Sequence, residues 1–143
     1  MIEFTDIDLR TDILAARYVK TEIVEVAFAE QSGELASPEG LNRYQAGDAL
    51  ITGSTGTRWS VARDRFDAKY EALPPTEAAA NGRYRARPVP VLARQLPEAF
   101  AVARSAGGDR LVGDAGDWLL QYAPGDYGIA KNGRFVQVYK KVV

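Results

Sequence analysis

Two stretches of the chain align without gaps at a constant offset of 69 residues: Ala46–Glu71 (AGDALITGSTGTRWSVARDRFDAKYE) and Ala115–Lys140 (AGDWLLQYAPGDYGIAKNGRFVQVYK). Eight of the 26 aligned positions are identical, where unrelated sequences share about one or two. A Tyr followed by an alternating apolar segment precedes each stretch, at Tyr18 and at Tyr84. We therefore predict that the chain contains two copies of one unit of about 55 residues.

The repeat sets the expected organisation of the chain. Two copies are too few for an open solenoid, so we expect them to pack on each other as a pseudo-symmetric pair in one compact domain. The predicted boundaries are an N-terminal segment with a short helix at 1–17, repeat 1 at 18–71, a Pro- and Ala-rich linker at 72–83, and repeat 2 at 84–143. The predicted fold class is α+β with β dominant.

Strand patterns and turn residues carry most of this prediction. Alternation over Glu22–Ala29 predicts a strand, and Val89–Leu92 repeats it with Pro90 inside, which favours an edge or a bulge because Pro has no N–H. Two hairpins are predicted, one around Gly53–Thr57 and one around Ala123–Asp126. Packing of the repeats is expected to bury eight apolar residues and, with their hydroxyls satisfied, two tyrosines: Phe28, Leu50, Ile51, Phe66, Leu119, Leu120, Phe135, Val138, Tyr70 and Tyr139.

Helix signals are fewer. Thr11 is predicted to cap a short helix over Asp12–Arg17. A helix is also predicted over Ala62–Tyr70, because Phe66 and Tyr70 are four residues apart and share one face. In the second copy Gly133 weakens that helix, and the alternation of Phe135–Val142 predicts a strand instead.

Composition excludes several classes of site. The 143 residues include no Cys and no His, which rules out disulfides, thiol nucleophiles, Ser-His-Asp triads and His-metal centres. The net charge of −1 argues against an electrostatic nucleic-acid binder, so we predict no nucleic-acid partner. The acidic start Met1–Asp6 lacks the features of a signal peptide, and no apolar stretch is long enough to span a membrane. We therefore expect a cytoplasmic protein with no membrane association.

The charges divide unevenly along the sequence. Residues 1–75 carry 8 basic and 13 acidic side chains, whereas residues 76–143 carry 10 and 6. An acidic half joined to a basic half favours docking of one on the other, or a homo-oligomer whose association weakens with salt. Chance variation on a solvated surface is the alternative.

Each candidate site residue has a structural and a functional interpretation. Asp48 and Asp117 follow a glycine and are typical of turns, but as symmetric carboxylates they also suit a cation or a polarised water. Pro124–Gly128 has the composition of a tight turn, and its glycines also permit close approach of a ligand. Arg134, which matches Arg65 of the first copy, either extends outward from the core or binds an anion.

A basic stretch, Arg83-Tyr84-Arg85-Ala86-Arg87, places three arginines on one face of a predicted strand. The favoured interpretation is a solvated strand facing acidic residues. Catalysis would require a carboxylate, Lys or Tyr with a shifted pKa, and no spacing singles out a pair. We predict no metal and no cofactor.

The motif Pro124-Gly125-Asp126-Tyr127-Gly128 resembles the signature of the bacterial PGDYG family, together with Ala115–Leu119 and Tyr84–Val91 around it. The first copy is similar to small phage and bacterial proteins with a Gly-Asp…Phe-x-x-x-Tyr module. The resemblance implies a family and no activity. Because the first copy has Gly56-Thr57-Arg58-Trp59 where the second has Gly125-Asp126-Tyr127-Gly128, a site on the second turn is not duplicated at the first.

The resulting functional prediction is a non-catalytic binding or interaction module. Its site is expected at the PGDYG turn and an inter-repeat groove, and its ligand is a small polar molecule or a protein partner. The candidate ligand-binding residues are Asp117, Trp118, Asp126, Tyr127 and Arg134. The alternative is a His-free hydrolase or lyase that uses Asp126 or Asp117 with Tyr127, with or without a divalent metal.

Overall fold

A computed structural model describes residues 1–37, 40–103 and 110–142 of the chain. Strands predominate among these residues, which confirms a β-dominant α+β fold. The helices are a 3-10 turn at Leu9–Thr11, α1 at Arg63–Lys69 and α2 at Asn132–Val138. The strands, in chain order, are β1 Ile2–Phe4, β2 Ala16–Lys20, β3 Ile23–Phe28, β4 Gly33–Ser37, β5 Gly40–Tyr44, β6 Ala49–Thr52, β7 Arg58–Val61, β8 Tyr70–Ala72, β9 Gly82–Ala86, β10 Val91–Gln95, β11 Phe100–Ala103, β12 Arg110–Gly113, β13 Trp118–Ala123, β14 Asp126–Ala130 and β15 Tyr139–Lys141.

The chain forms two compact units whose bounds differ from those of the sequence repeats. Unit 1 comprises Met1–Val19 with Pro90–Val143, and unit 2 comprises Lys20–Val89. Unit 1 contains nine basic and nine acidic residues, and unit 2 contains nine and ten. The charge asymmetry between residues 1–75 and 76–143 is therefore a property of the linear sequence and is absent from the units.

Unit 1 is built on a five-stranded sheet of order β14-β13-β10-β2-β15 and a three-stranded sheet of order β1-β11-β12. Helix α2 packs its Phe135 and Val138 into a buried cluster of the larger sheet. A second cluster, centred on Leu96 and Phe100, lies beneath the smaller sheet and includes Leu9 of the N-terminal segment.

Unit 2 contains a five-stranded sheet of order β7-β6-β3-β9-β8 and the hairpin β4-β5. Val24 and Val26 of β3 are buried while Ile23 and Glu25 are exposed, as the alternation predicts. Phe66 of α1 completes the core with a stacked contact to Tyr70, whose ring centroid lies 5.2 Å away.

The two five-stranded sheets have the same element order and the same register. Tyr84 pairs with Val24 on β3, and Tyr18 pairs with Val91 on β10. Ile51 pairs with Trp59, and Leu120 pairs with Gly128 at the matching place 69 residues later. Strand β9, which carries Tyr84, belongs to the second half of the sequence but joins four strands from the first half. Strand β2, which carries Tyr18, belongs to the first half but joins four strands from the second half.

The Ala-Gly-Asp tripeptides form equivalent turns before β6 and β13. Gly47 and Gly116 have φ of +92° and +91°, which favours glycine. The Asp48 carboxylate accepts a hydrogen bond from the Gln45 N–H at 2.9 Å, and the Asp117 carboxylate accepts one from the Asp114 N–H at 2.8 Å. Both aspartates therefore act in turn formation.

The helix predicted over Asp12–Arg17 is wrong. The Asp8 carboxylate accepts a hydrogen bond from the Arg10 N–H and caps the 3-10 turn one residue later. The Asp12 carboxylate then accepts one from the Leu14 N–H, which turns the chain toward β2. Local hydrogen bonds from aspartate compete with helix formation in this way.

The strand predicted over Phe135–Val142 is wrong for residues 135–138, which belong to helix α2, and is confirmed at Tyr139–Lys141, which form β15. A helix places Phe135 and Val138 on one buried face, and Tyr139 follows with its ring stacked 4.7 Å from that of Phe135. Burial of these side chains outweighs the cost of about 1 kcal/mol that Gly133 imposes on a helix.

Two smaller predictions also need correction. Strand β10 is central in its sheet and not at an edge, because Pro90 precedes the strand and leaves its hydrogen bonds intact. Phe28 and Leu50 are half-buried; Leu50 alternates with the buried Ala49 and Ile51 and so lies on the other face of β6. The other six predicted core residues and both tyrosines are buried, and Lys20 donates to the Tyr70 hydroxyl.

Candidate functional site

Pro124 and Gly125 of the PGDYG motif form the two-residue turn between β13 and β14, and the rest of the motif begins β14. Gly125 has φ of +80°, and the register shifts between Gln121 and Ala123, which pairs with Asp126. The shift places the Tyr122 ring over Gly128: a Cβ on Gly128 would lie 2.6 Å from the Tyr122 hydroxyl. Both glycines of the motif therefore have a structural role.

We expect Gly128→Ala to lower the free energy of unfolding by about 1–3 kcal/mol, because the added methyl group displaces the Tyr122 ring. Gly133→Ala is the matched control, since a Cβ there meets open space in helix α2 and is expected to stabilise the protein by up to about 1 kcal/mol. Urea titration measures both. Equal effects of the two substitutions would contradict the role assigned to Gly128.

The N-terminal segment is attached to this turn by buried hydrogen bonds. The Tyr127 hydroxyl donates a short hydrogen bond to the Ile7 carbonyl. The Gln121 side chain accepts from the Leu9 N–H at 2.6 Å and donates to the Asp8 carboxylate at 3.2 Å. Tyr127 and Gln121 are 2% and 3% exposed, so these bonds are shielded from competing water.

A shallow depression opens where the segment meets the turn. Its volume is about 200 Å³. Asp6, in the depression wall, has φ of +55°, a conformation that Asp adopts more readily than most residues. The lining residues are Asp6, Ile7, Asp8, Pro124, Gly125 and Tyr127.

Hydrogen bonds shift the pKa of Asp8 in the depression, and burial and nearby charges shift the pKa of Tyr127. Hydrogen bonds from the Arg10 side chain and backbone hold the pKa of Asp8 well below its ordinary 3.8. Burial, and then the charges of Asp6 and Asp8, raise the pKa of Tyr127 above 10.0. At neutral pH Asp8 is therefore ionised and Tyr127 keeps its proton.

Asp8 is expected to remain ionised below pH 3, and Arg10→Gln is expected to raise its pKa toward 3.8. Because the folded-state pKa is lowered, the stability that this pair contributes is present above the ordinary pKa of Asp8 and is lost as pH falls toward the folded value. NMR titration of the carboxyl carbons measures the shift. Arg43→Gln, on an exposed arginine of unit 2, is the control and should leave Asp8 unchanged.

A second polar cluster lies at the other end of the β13–β14 hairpin. Lys131 donates to Asp117 at 2.8 Å and to Asp114 at 3.0 Å. Partial burial by itself lowers the pKa of Lys131, but these two hydrogen bonds outweigh it and raise the pKa above 10.5. Next to it the Trp118 indole N–H donates to the Asn132 side chain at 2.9 Å.

The five predicted site residues are therefore divided between two places. Asp126 and Tyr127 are at the turn, and only Tyr127 lines the depression. Asp117 and Trp118 are at the start of β13, whose six residues span about 17 Å. Arg134 is half-buried on helix α2, two residues after Asn132.

Sequence reasoning missed Asp6, Asp8 and Gln121. No local pattern identifies them, because residues 6–8 meet the turn across more than 110 residues of chain. Lys131 was missed as well: the aligned residue of the first copy is Ala62, so the repeat gave no signal for it.

Unit 2 contains a buried polar cluster around Glu22, whose side chain is fully buried. Its carboxylate accepts hydrogen bonds from the Ser54 N–H at 2.8 Å and the Ser54 hydroxyl at 2.9 Å. Lys20 lies 3.4 Å from Glu22 and 4.5 Å from the centre of the Trp59 ring. These contacts satisfy the buried carboxylate and fix the start of β3.

The three arginines of the basic stretch Arg83–Arg87 pair with carboxylates. Arg85 lies 2.9 Å and Arg87 3.4 Å from Glu71, and Arg83 lies 3.8 Å from Glu25. Within the described ranges, no three acidic side chains are grouped so as to hold a metal ion. The helices of those ranges are all too short to cross a bilayer.

Comparison with known proteins gives one match. The sequence model of a protein family, described as "PGDYG protein", matches residues 40–140 of the chain. No curated protein and no solved structure matches the chain.

Proposed function

The chain belongs to the PGDYG family, and we propose that it is a non-catalytic binding module whose site is the depression beside the PGDYG turn. The observation that carries this proposal is an opening of about 200 Å³ where carboxylates and the backbone of Gly125 are brought together. Pockets for drug-sized ligands are about 300–1,000 Å³. The ligand is therefore a small polar molecule, or one polar group presented by a protein partner.

Within the predicted set, Tyr127 lines the depression together with Asp6 and Asp8, and we propose that Asp126, which lies outside the lining, reaches a bound ligand from beside Gly125. Tyr127 acts mainly by holding Ile7 in place, since its hydroxyl is already hydrogen-bonded. Asp126 follows Gly125 directly and is half-buried. The extension of the site into an inter-repeat groove stays a prediction, as do the ligand-binding roles of Asp117, Trp118 and Arg134.

The hydrolase or lyase alternative has less support. A Tyr that acts as a base near neutral pH needs a lowered pKa, and the pKa of Tyr127 is raised. Asp117 accepts hydrogen bonds from a turn N–H and from Lys131, and it lies four residues along the chain from Gln121, the residue that pairs with Tyr127. These contacts favour binding over catalysis.

We further propose that the chain is an internal duplication in which the two copies exchange their first strands. The support is the equal element order, equal pairing register and equivalent Gly-Asp turns of the two sheets. Phe66 and Tyr84, and likewise Phe135 and Tyr18, form edge-to-face pairs at 4.9 Å. That the copies pack into one compact domain stays a prediction.

The test of the binding function is thermal unfolding with a panel of amines, amino acids, sugars, nucleotides and divalent metals. A ligand at 100 times its Kd adds about 2.7 kcal/mol of stability. We expect one chemical class to raise Tm and both Asp6→Asn and Asp126→Asn to abolish the gain. Asp64→Asn, an exposed carboxylate of α1, is the control and should retain it. If no class raises Tm, or if all three variants respond alike, the proposed site is wrong.

A further inference from the structure

The hairpins β4-β5 and β11-β12 correspond to each other. In each, the pair farthest from the hairpin loop joins a glycine to an aromatic residue: Gly33 to Tyr44 in β4-β5, and Gly113 to Phe100 in β11-β12. In both cases the ring lies against the glycine where a Cβ would otherwise be. The glycine lies on the first strand of one hairpin and on the second strand of the other, so the strands are matched by their order in the chain: Glu34 is the second residue of β4, as Ala101 is of β11.

The outer edge of β11 is covered by the N-terminal strand. Strand β1 runs parallel to β11, with Ile2 beside Phe100 and Phe4 beside Val102. The Ile2 N–H donates to the Ala99 carbonyl at 3.0 Å, and alternate residues of a strand point the same way, so Ala101 also directs its backbone groups toward β1.

No strand is hydrogen-bonded to the equivalent edge of β4 among the described residues. Ser37 pairs with Gly40 next to the hairpin loop. Hydrogen-bonded and non-hydrogen-bonded pairs alternate along an antiparallel hairpin. The backbone of Leu35, two residues from Ser37, is therefore hydrogen-bonded to β5, while Glu34 and Ala36 direct their N–H and C=O groups away from β5. Both residues are exposed, whereas Ala101 is 0% exposed.

We propose that the outer edge of β4 is a docking site for an extended segment of a partner protein, which adds to it as a parallel strand. Main-chain hydrogen bonds supply affinity in this mode of recognition, and alternate side chains supply specificity. The bonding groups of Glu34 and Ala36 match those that β1 uses on β11. This site lies in unit 2 and is independent of the depression in unit 1.

The side chains beside the edge indicate the chemistry of the partner. In a partner strand placed on β4 as β1 is placed on β11, the two residues equivalent to Ile2 and Phe4 would lie beside Gly33 and the half-buried Leu35. These neighbours favour apolar side chains at both partner positions. The residue between them would lie beside the Glu34 carboxylate, which favours Lys or Arg. The partner segment is therefore apolar-basic-apolar. A second copy of this chain fits less well, because its Ile2-Glu3-Phe4 would place two carboxylates side by side.

The test uses the isotope-labelled full chain and the blocked peptide Ser-Thr-Ile-Lys-Phe-Thr-Ser, followed by NMR. We expect shifts at the Glu34 and Ala36 amides, and binding about three- to tenfold weaker for the peptide with Glu in place of Lys. Glu34→Lys should reverse that preference. Glu30→Lys, an equal charge change at an exposed residue outside the hairpin, should not.

Ala36→Pro provides a second test. It removes an outward N–H without breaking a bond to β5, and edge strands tolerate Pro at such positions. We expect the variant to fold, with an unchanged amide spectrum outside β4, and to lose binding. Absence of peptide shifts at β4, or equal binding by Ala36→Pro and the parent, would overturn the proposal. Concentration-dependent dimerisation that Ala36→Pro abolishes would assign the edge to a second copy instead.

Discussion

Replacement of Phe135 by Ala is expected to lower the free energy of unfolding by about 3–5 kcal/mol, the cost of removing a large buried aromatic side chain. Phe135 is 2% exposed and contacts three other rings. Its ring centroid lies 3.8 Å from that of Trp118 and 4.7 Å from that of Tyr139, both stacked, and 4.9 Å from that of Tyr18. Domains of this size have a total stability of about 5–15 kcal/mol, so the loss is a large fraction.

Thermal and urea unfolding measure this effect, and a fall in Tm of more than about 10 °C is expected. Phe135→Leu retains most of the apolar volume and should cost less than about 1.5 kcal/mol. Val136→Ala is the control, since Val136 is next in helix α2 but 63% exposed, and its effect should be within about 0.5 kcal/mol. If Phe135→Ala and Val136→Ala are equally mild, helix α2 does not pack as described.

A chain cut between β8 and β9 is expected to remain folded with both pieces bound. The cut would fall in a protease recognition sequence inserted after Ala78, in an exposed part of the loop. The first piece supplies β2 to the sheet of unit 1, and the second piece supplies β9 to the sheet of unit 2. Strand β2 lies between β10 and β15 in its sheet, and β9 lies between β3 and β8 in the other. Each exchanged strand is therefore an interior strand.

Size-exclusion chromatography of the cut protein in native buffer measures the association. The pieces should elute together and separate only in denaturant, because separation removes an interior strand from both sheets and exposes the buried Tyr84. Tyr84→Ala should weaken the association by removing the contact to Phe66, whereas Arg83→Ala, on the exposed face of the same strand, should have little effect. Separation of the pieces without denaturant would contradict the strand exchange.

The local part of the fold could be predicted from the sequence. The hairpins of β6-β7 and β13-β14, helix α1 and the two Gly-Asp turns depend on residues within a few positions of one another. Their φ requirements and apolar spacing are visible in the sequence itself. Gly47 and Gly116 illustrate this, since a positive φ is needed for the turn that the following Asp then closes.

The candidate site could be predicted only in part. The PGDYG motif identified the turn, and the five predicted residues were grouped around it although three of them, Trp118, Asp126 and Tyr127, have no counterpart in the first copy. The register of β13 on β14 separates Trp118, opposite Ala130, from Asp126, opposite Ala123. The predicted hairpin already placed Trp118 at the end of its strand away from the turn, so closeness in the sequence was a poor guide to closeness of the side chains.

The sequence pattern was enough to predict a β-rich chain with a tight turn in the PGDYG motif. Only the tertiary structure decided which strand joins which sheet, that residues 132–138 are helical despite Gly133, and that Asp6 and Asp8 complete the depression. The physical reason is that these outcomes depend on burial and hydrogen bonding between residues far apart in the chain. Burial of Phe135 outweighs local propensity, and Gln121 binds Leu9 across 112 residues.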